Sequence, residues 1–176
     1  MKYQKIDPAD FDCKIFNQIA RQWMLLTAGD FDGGNYNTMT ASWGMLGTLW
    51  NKPVSMCVVR PQRHTMKFLE EYSTYTLAFL PEKYRSALAE CGAVSGTEVD
   101  KFERCNLTAC AGMSVEAPAI AEAELMIECR QLYRDKISGK NFLVKKLNSD
   151  FYPEKDYHNV IIGEVMAIYR QIHDIE

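Results

Sequence analysis

The chain has 176 residues, of which 47% are hydrophobic and 24% are charged. This length and composition predict one globular domain over residues 1–176 with a substantial hydrophobic core. The net charge of −3 argues against nucleic acid or an anionic membrane surface as a partner, because both attract an excess of basic residues. The sequence has neither a membrane-spanning apolar run nor the apolar core of a signal peptide at its N-terminal segment. We therefore expect a cytoplasmic protein.

Short apolar runs separated by turn residues indicate a mainly β fold. Strands are predicted at Trp23–Ala28, Tyr36–Trp43, Pro53–Arg60, Tyr75–Leu80, Glu124–Tyr133 and Asn159–Tyr169, with Gly139–Tyr152 continuing the sheet less regularly. Short helices are predicted at Phe11–Ile19, Thr65–Tyr72 and Tyr84–Val94, and a hairpin turn at Gly29–Asn35. Because the strands do not alternate with long helices, a closed antiparallel barrel is favoured over a doubly wound sheet.

The six cysteines include no Cys-x-x-Cys pair. Cys105 and Cys110 lie near each other, but no second pair accompanies them to complete a zinc site. This pattern predicts buried, reduced thiols and no metal site, with a redox or metal role as the alternative.

The segment Asn37–Gly44 has an unusual composition for a strand, because small and hydroxylated residues replace the usual Val and Ile. Small side chains let a flat ligand approach the backbone, and hydroxyl groups offer it hydrogen bonds. One interpretation is therefore the wall of a cofactor site, with Met39 and Trp43 as apolar cover. The alternative is a polar edge strand in which Trp43 closes the end of the barrel.

A cluster of basic and hydroxylated residues follows within Val58–Phe68. Its members are Arg60, Arg63, His64, Thr65 and Lys67. Arginine can hold two phosphate oxygens in one plane, and the start of a helix attracts anions. The cluster predicts a phosphate site, with Arg63 and Thr65 ranked before Lys67. The alternative is a solvated basic turn.

Two further segments carry weaker signals. Ser95–Phe102 reads as an exposed turn after a helix that ends near Gly96, or else as a loop that folds over a ligand with Ser95 and Lys101 facing it. His158 precedes the last apolar strand, and a lone histidine of this kind is more often structural than catalytic.

Taken together, these segments resemble the flavin reductase-like family, whose members bind FMN on a split β-barrel. The matching segments are WMLLTAGD (Trp23–Asp30), YNTMTASWG (Tyr36–Gly44), KPVSMCVVRPQRHT (Lys52–Thr65), SGTEVDKF (Ser95–Phe102) and DYHNVIIGEV (Asp156–Val165). Their order and spacing are more specific than any one of them. The resemblance implies a mainly β split barrel of antiparallel strands that forms a homodimer, with one FMN per subunit near the interface.

The resemblance also implies roles for individual residues. The segments Asn37–Trp43 and Val58–Arg60 would line the isoalloxazine, and Arg63–Thr65 with Lys101 would hold the phosphate. His64 stands where family members usually carry a tyrosine, and His158 matches a position near the stacked nicotinamide. The cofactor-binding residues expected are Asn37, Thr38, Met39, Thr40, Ala41, Ser42, Trp43, Val58, Val59, Arg60, Arg63, His64, Thr65, Lys67, Ser95, Gly96, Lys101 and Phe102, and the catalytic residue expected is His158.

Three activities stay open at this point. The first is an NAD(P)H-dependent flavin reductase, in which NADH or NADPH passes hydride to FMN and His158 orients the donor. The second is a flavoredoxin-like electron carrier that accepts electrons from a redox protein partner. The third is a barrel that binds no flavin and acts as an interaction scaffold.

Overall fold

A curved antiparallel β-sheet forms the body of the protein, and the computed structural model describes residues 2–172. Strands β1 to β10 span Lys2–Ile6, Met24–Asp30, Asn35–Ala41, Gly44–Leu49, Lys52–Val59, Thr74–Phe79, Ala109–Cys110, Ala119–Ile120, Leu125–Lys136 and Asn159–Ile172. Eight of these strands form one sheet in the order β3-β2-β6-β9-β10-β5-β4, with β1 paired to β10. This arrangement confirms the predicted mainly β fold of antiparallel strands.

Short helices connect and cover the strands. Helices α1 to α5 span Ile15–Asn17, Thr65–Glu71, Arg85–Ala93, Lys101–Arg104 and Lys145–Phe151. A π-helical turn, Gln18–Gln22, continues α1, and single 3-10 turns occur at Pro8–Asp10, Glu82–Tyr84 and Gly139–Asn141. Within residues 2–172, no helix has the length and apolar character needed to span a membrane.

Strand β10 joins the two parts of the sheet, because it pairs with β9 on one side and with β5 and β1 on the other. The β9–β10 ladder shifts register between Ile162 and Gly163 and again between Val165 and Ala167. Such bulges bend a strand and increase its twist, which helps the sheet to curl. Between β3 and β4 the described ladder stays open, so the full closure expected from the strand count does not occur.

The core lies inside this curl. Its largest cluster contains Leu26, Leu77, Phe79, Ile127 and Ile161, all of them buried. A second cluster beneath α3 and α4 contains Leu25, Leu80, Leu88, Phe102 and Ile120. The first cluster fills the interior of the barrel. The second cluster lies between the sheet and the helices that pack on it.

Two predicted elements differ from the structure, and four strands, β1, β4 and the two-residue strands β7 and β8, were missed. The segment Gly139–Tyr152 does not continue the sheet, because a 3-10 turn and α5 occupy it. The predicted helix Phe11–Ile19 begins only at Ile15 and extends as a π-helical turn to Gln22. Strands β1 and β4 carry no alternation that marks them, since β1 is polar and β4 contains two glycines.

Candidate functional site

A polar groove of about 560 Å³ opens where β5 ends and α2 begins. The segment that leads into α2 lines one side, the loop after α3 lines another, and the paired ends of β9 and β10 complete it. Its lining residues are Pro61, Gln62, Arg63, His64, Met66, Lys67, Glu70, Ser95, Thr97, Lys136 and Asn159. Basic side chains outnumber the single acidic one, and hydroxyl groups of Ser95 and Thr97 lie beside them. This donor set suits an anionic ligand.

Arg63 and Lys101 anchor the end of α3. Arg63 donates hydrogen bonds to the carbonyls of Gly92 (2.7 Å) and Cys91 (3.3 Å). Lys101 is 3% exposed and donates to the carbonyls of Cys91 and Thr38, both at 2.9 Å. Burial, and secondly the nearby Arg63, lower the pKa of Lys101 to about 8. Cations at this place satisfy carbonyls that the helix end leaves unpaired, so both side chains are already engaged by the protein.

Several residues predicted to bind the cofactor form the wall behind the groove. Asn37 donates from Nδ2 to Oγ1 of the buried Thr65 at 2.8 Å. Thr38 pairs its hydroxyl with that of Thr27 at 3.0 Å, and Val59 is fully buried. These side chains are turned into the protein and shape the groove from behind.

The remainder of β3 packs inward as well. Met39 and Ala41 belong to the main core cluster, and Thr40 donates its hydroxyl hydrogen bond to the carbonyl of Leu88 on α3. Ser42 and Trp43 follow the strand and reach the surface, with Trp43 42% exposed. At Thr40, the short side chain lets α3 pack closely on β3.

An aromatic cluster, made of Trp43, Phe151, Tyr152 and His158, lies beside the groove. The ring centroid of Trp43 is 5.4 Å from that of Phe151 and 5.1 Å from that of His158. His158 Nδ1 is 2.8 Å from the hydroxyl of Tyr152. Burial, and secondly the positive charge of Arg60, lower the pKa of His158 to about 4. The imidazole is therefore neutral at physiological pH.

Arg60 ties the loop that carries this cluster to the end of β5. Its guanidinium forms an ion pair with Asp156, donates to the carbonyl of Phe151 at 2.9 Å and lies over the ring of Tyr152. Gln62 donates to the same Asp156 carboxylate at 2.8 Å. Hydrogen bonds from Gln62 and Arg60 hold the pKa of Asp156 below its usual range. Arg60 thus positions the aromatic cluster.

The loop Ser95–Phe102 separates the polar groove from a neighbouring cleft at Asp100 and Phe102. Ser95 and Thr97 pair their hydroxyls at 2.8 Å, and Gly96 passes so close to the amide of Asn37 that no Cβ would fit there. Phe102 is buried, with its ring edge against Tyr36. Of this loop, only the two hydroxyl residues face the groove.

Sequence reasoning missed part of the site. Lys136 and Thr97 line the groove, and Tyr152 holds His158, although none of them was singled out. Lys136 reaches the groove only because the register pairs it with Asn159, which no local pattern shows. Thr97 lies within the quoted segment SGTEVDKF and could have been found there.

Comparison with known proteins gives one family and a set of similar folds. A family model described as "Flavin reductase like domain" matches residues 16–175. No curated protein matches the chain.

The similar structures share the fold at low sequence identity. An FMN-binding domain of a flavin reductases-like enzyme from Shewanella baltica has a TM-score of 0.69 at 15% identity, over 96% of this chain and 77% of that chain. Flavoredoxin of Desulfovibrio vulgaris has a TM-score of 0.66 at 22% identity, over 86% and 72%. A flavin reductase from Shewanella frigidimarina, described as putative and as having a split barrel domain, has a TM-score of 0.68 at 18% identity, over 92% and 74%. The split barrel predicted from the sequence is thereby confirmed.

Proposed function

Since the chain belongs to the flavin reductase-like family, we propose that it binds FMN and reduces it with NADH or NADPH. The observation that carries this proposal is the polar groove with the aromatic cluster beside it. Asn159 lines the groove, and the preceding residue, His158, contacts Trp43. A ligand with a phosphate at one end and a flat ring at the other matches this order of groups.

The basic end of the groove suits the phosphate. Lys67 and Lys136 are exposed, and their ammonium groups take part in no ion pair among residues 2–172. His64 and the hydroxyls of Ser95 and Thr97 complete the set of donors. Arg63 and Lys101 support this end from behind through their bonds to the α3 carbonyls. We therefore assign direct phosphate contact to Lys67, Lys136 and the hydroxyls, and a positioning role to Arg63 and Lys101.

The aromatic end suits the ring. The side chains of Trp43 and Phe151 are both more than two-fifths exposed, and their rings meet edge to face. When bound there, the flavin would accept hydride from the nicotinamide, which is chemistry that the cofactor supplies. The neutral His158, held by Tyr152, would give the nicotinamide a fixed polar edge without adding charge. Hydride transfer requires no acid or base from the protein.

The homodimer is part of the same proposal. An apolar groove of about 410 Å³ beside β4 is lined by Ile15, Phe16, Ile19, Ala20, Ser42, Trp43, Gly44, Met45 and Leu46. Phe16 is 90% exposed and Met45 is 57% exposed. A contiguous apolar surface of this kind is typical of a protein interface. Trp43 belongs both to this apolar groove and to the aromatic cluster. A dimer formed here would therefore bring the partner subunit close to the proposed ring site.

The proposal is tested by mixing the FMN-loaded protein with NADH and with NADPH in the absence of oxygen. We expect the absorption of oxidised FMN to disappear with at least one of them. If the oxidised spectrum persists with both, the reductase proposal is wrong. Reduction by a reduced redox protein would then support the electron carrier, and a colourless protein whose melting temperature does not rise with FMN would support the scaffold.

A further inference from the structure

A pair of thiols lies beneath the loop that lines the polar groove. Cys91 is buried on α3, and Cys105 follows α4 directly and is partly exposed. Their sulfur atoms are 3.5 Å apart. In addition, Arg104 and Glu90, the residues that precede the two cysteines, form an ion pair at 2.5 Å. Two adjacent contacts therefore hold α4 against α3 in one orientation.

We propose that Cys91 and Cys105 form an oxidation-sensitive dithiol site, in which a hydroperoxide converts the pair into an intramolecular disulfide. A disulfide has a sulfur–sulfur length of about 2.05 Å. The sulfur atoms, now 3.5 Å apart, must therefore approach each other by about 1.5 Å. Small rotations about the side-chain bonds of the two cysteines bring the sulfur atoms closer by this amount.

The chemistry takes place in two balanced steps. The sulfur of Cys105 attacks a peroxide oxygen and the O–O bond breaks. The thiol proton passes to the departing oxygen, which leaves as water from hydrogen peroxide or as an alcohol from an organic hydroperoxide, and a sulfenic acid remains on Cys105. The sulfur of Cys91 then attacks that sulfur, the S–S bond forms, the S–O bond breaks, and a second water leaves with the thiol proton. With hydrogen peroxide as the oxidant, two thiols are oxidised to one disulfide and one peroxide is reduced to two waters.

Exposure decides which thiol reacts first. Cys105 is partly accessible, whereas Cys91 is fully buried, so the oxidant meets Cys105. Burial, and secondly the adjacent Cys105, raise the pKa of the Cys91 thiol to about 12. Cys91 therefore stays protonated while Cys105 reacts with the oxidant. As the second, resolving thiol, it gives up its proton to the departing hydroxyl when its sulfur attacks the sulfenic acid.

The position of the disulfide links it to the groove. The chain between the two cysteines contains Ser95 and Thr97, which line the groove, and Lys101, which anchors the end of α3. Cross-linking its two ends limits the movements of this loop. If the proposed function holds, FMN must pass this loop to enter and leave the groove. We therefore expect the association and the dissociation of FMN to be severalfold slower in the oxidised protein.

The site is tested by treating the full-length protein with hydrogen peroxide and mapping its disulfides by mass spectrometry without reduction. We expect a peptide that joins Cys91 to Cys105, a mass lower by two hydrogen atoms, and reversal by dithiothreitol. Cys105→Ser, which replaces a partly exposed thiol, should abolish this loss. The matched controls Cys13→Ser and Cys110→Ser also change partly exposed thiols and should retain it.

Three outcomes would overturn the proposal: no loss of two hydrogens, a disulfide that joins another pair, or the same loss in Cys105→Ser. Stopped-flow exchange of FMN, compared before and after oxidation, tests the link to the groove, and equal rates would disprove that link. Because disulfide mapping requires no cofactor, a protein that binds no FMN but forms the disulfide would contradict only the proposed function.

Discussion

His158 is a histidine that the fold keeps neutral. It is 7% exposed, its Nδ1 meets the hydroxyl of Tyr152, and its nearest charges are Arg60 and Asp156. The ion pair between Arg60 and Asp156 leaves little net charge beside the ring, so burial dominates its pKa. The sequence predicted that this histidine precedes a strand. It did not predict the burial of the ring, because the residues that enclose it are brought together by contacts between separate segments.

This burial predicts a pH dependence of stability. The pKa of His158 is about 4 in the folded chain and has its ordinary value of 6.5 when unfolded. As the pH falls from about 6.5 to 4, the unfolded chain binds a proton that the folded chain refuses, so the free energy of unfolding decreases. Urea denaturation across this range should show a shallower decrease for His158→Gln than for the parent. Tyr152→Phe retains the histidine and serves as control, and equal slopes in parent and His158→Gln would contradict the prediction.

Arg63 and Lys67 belong to the same basic cluster in the sequence but have different surroundings. Arg63→Ala removes charged hydrogen bonds to two backbone carbonyls and should lower the free energy of unfolding by about 1.5–3 kcal/mol. Lys67→Ala removes an exposed ammonium, so its stability should stay within about 0.5 kcal/mol of the parent while FMN binds more weakly. Chemical denaturation and FMN titration measure the two effects. A stable Arg63→Ala protein that loses FMN would instead make Arg63 the direct phosphate ligand.

At the scale of elements, short apolar runs that end at a proline were sufficient to predict β5 and β6. The predicted strand Tyr75–Leu80 agrees within one residue with β6, and Pro53–Arg60 does so with β5. Helix α5 was missed because its apolar residues Leu147 and Phe151 stay partly exposed, so no buried face produces a clear period. The basic character of the candidate site was also predictable from the sequence. The hydrogen-bond partners of Arg63 and Lys101 were not, because these partners lie on α3 and β3.

Strand β9 holds a surface loop through a buried carboxylate. Glu128 is fully buried, and its two oxygens accept hydrogen bonds from the backbone amides of Met113 (2.7 Å) and Ser114 (2.6 Å). Glu128→Gln places an amide donor against one of these N–H groups and should cost about 1–3 kcal/mol of stability. Thermal unfolding measures this loss. The exposed Glu116→Gln is the matched control, and equal melting temperatures for both variants would count against the role of Glu128.

At the scale of the whole molecule, the surface beside β4 predicts self-association. Met45→Glu introduces a charge into the exposed apolar groove and should shift a dimer towards monomer in sedimentation experiments, because a buried unpaired charge is unfavourable. Met113→Glu changes a residue of similar exposure outside this groove and should leave the dimer intact. A monomeric parent, or two variants that dissociate equally, would contradict the proposed interface.

Strand β10 also determines when the chain can complete its fold. The strands β3-β2-β6-β9 on one side and β5-β4 on the other are joined in the sheet through β10, and the register from Lys2↔Ile172 to Ile6↔Ile168 pairs β1 with the same strand. Until residues 159–172 have left the ribosome, the two part-sheets expose unpaired edges. Completion of the barrel therefore waits for β10, and its distant pairings make it slow compared with a helical protein of the same size.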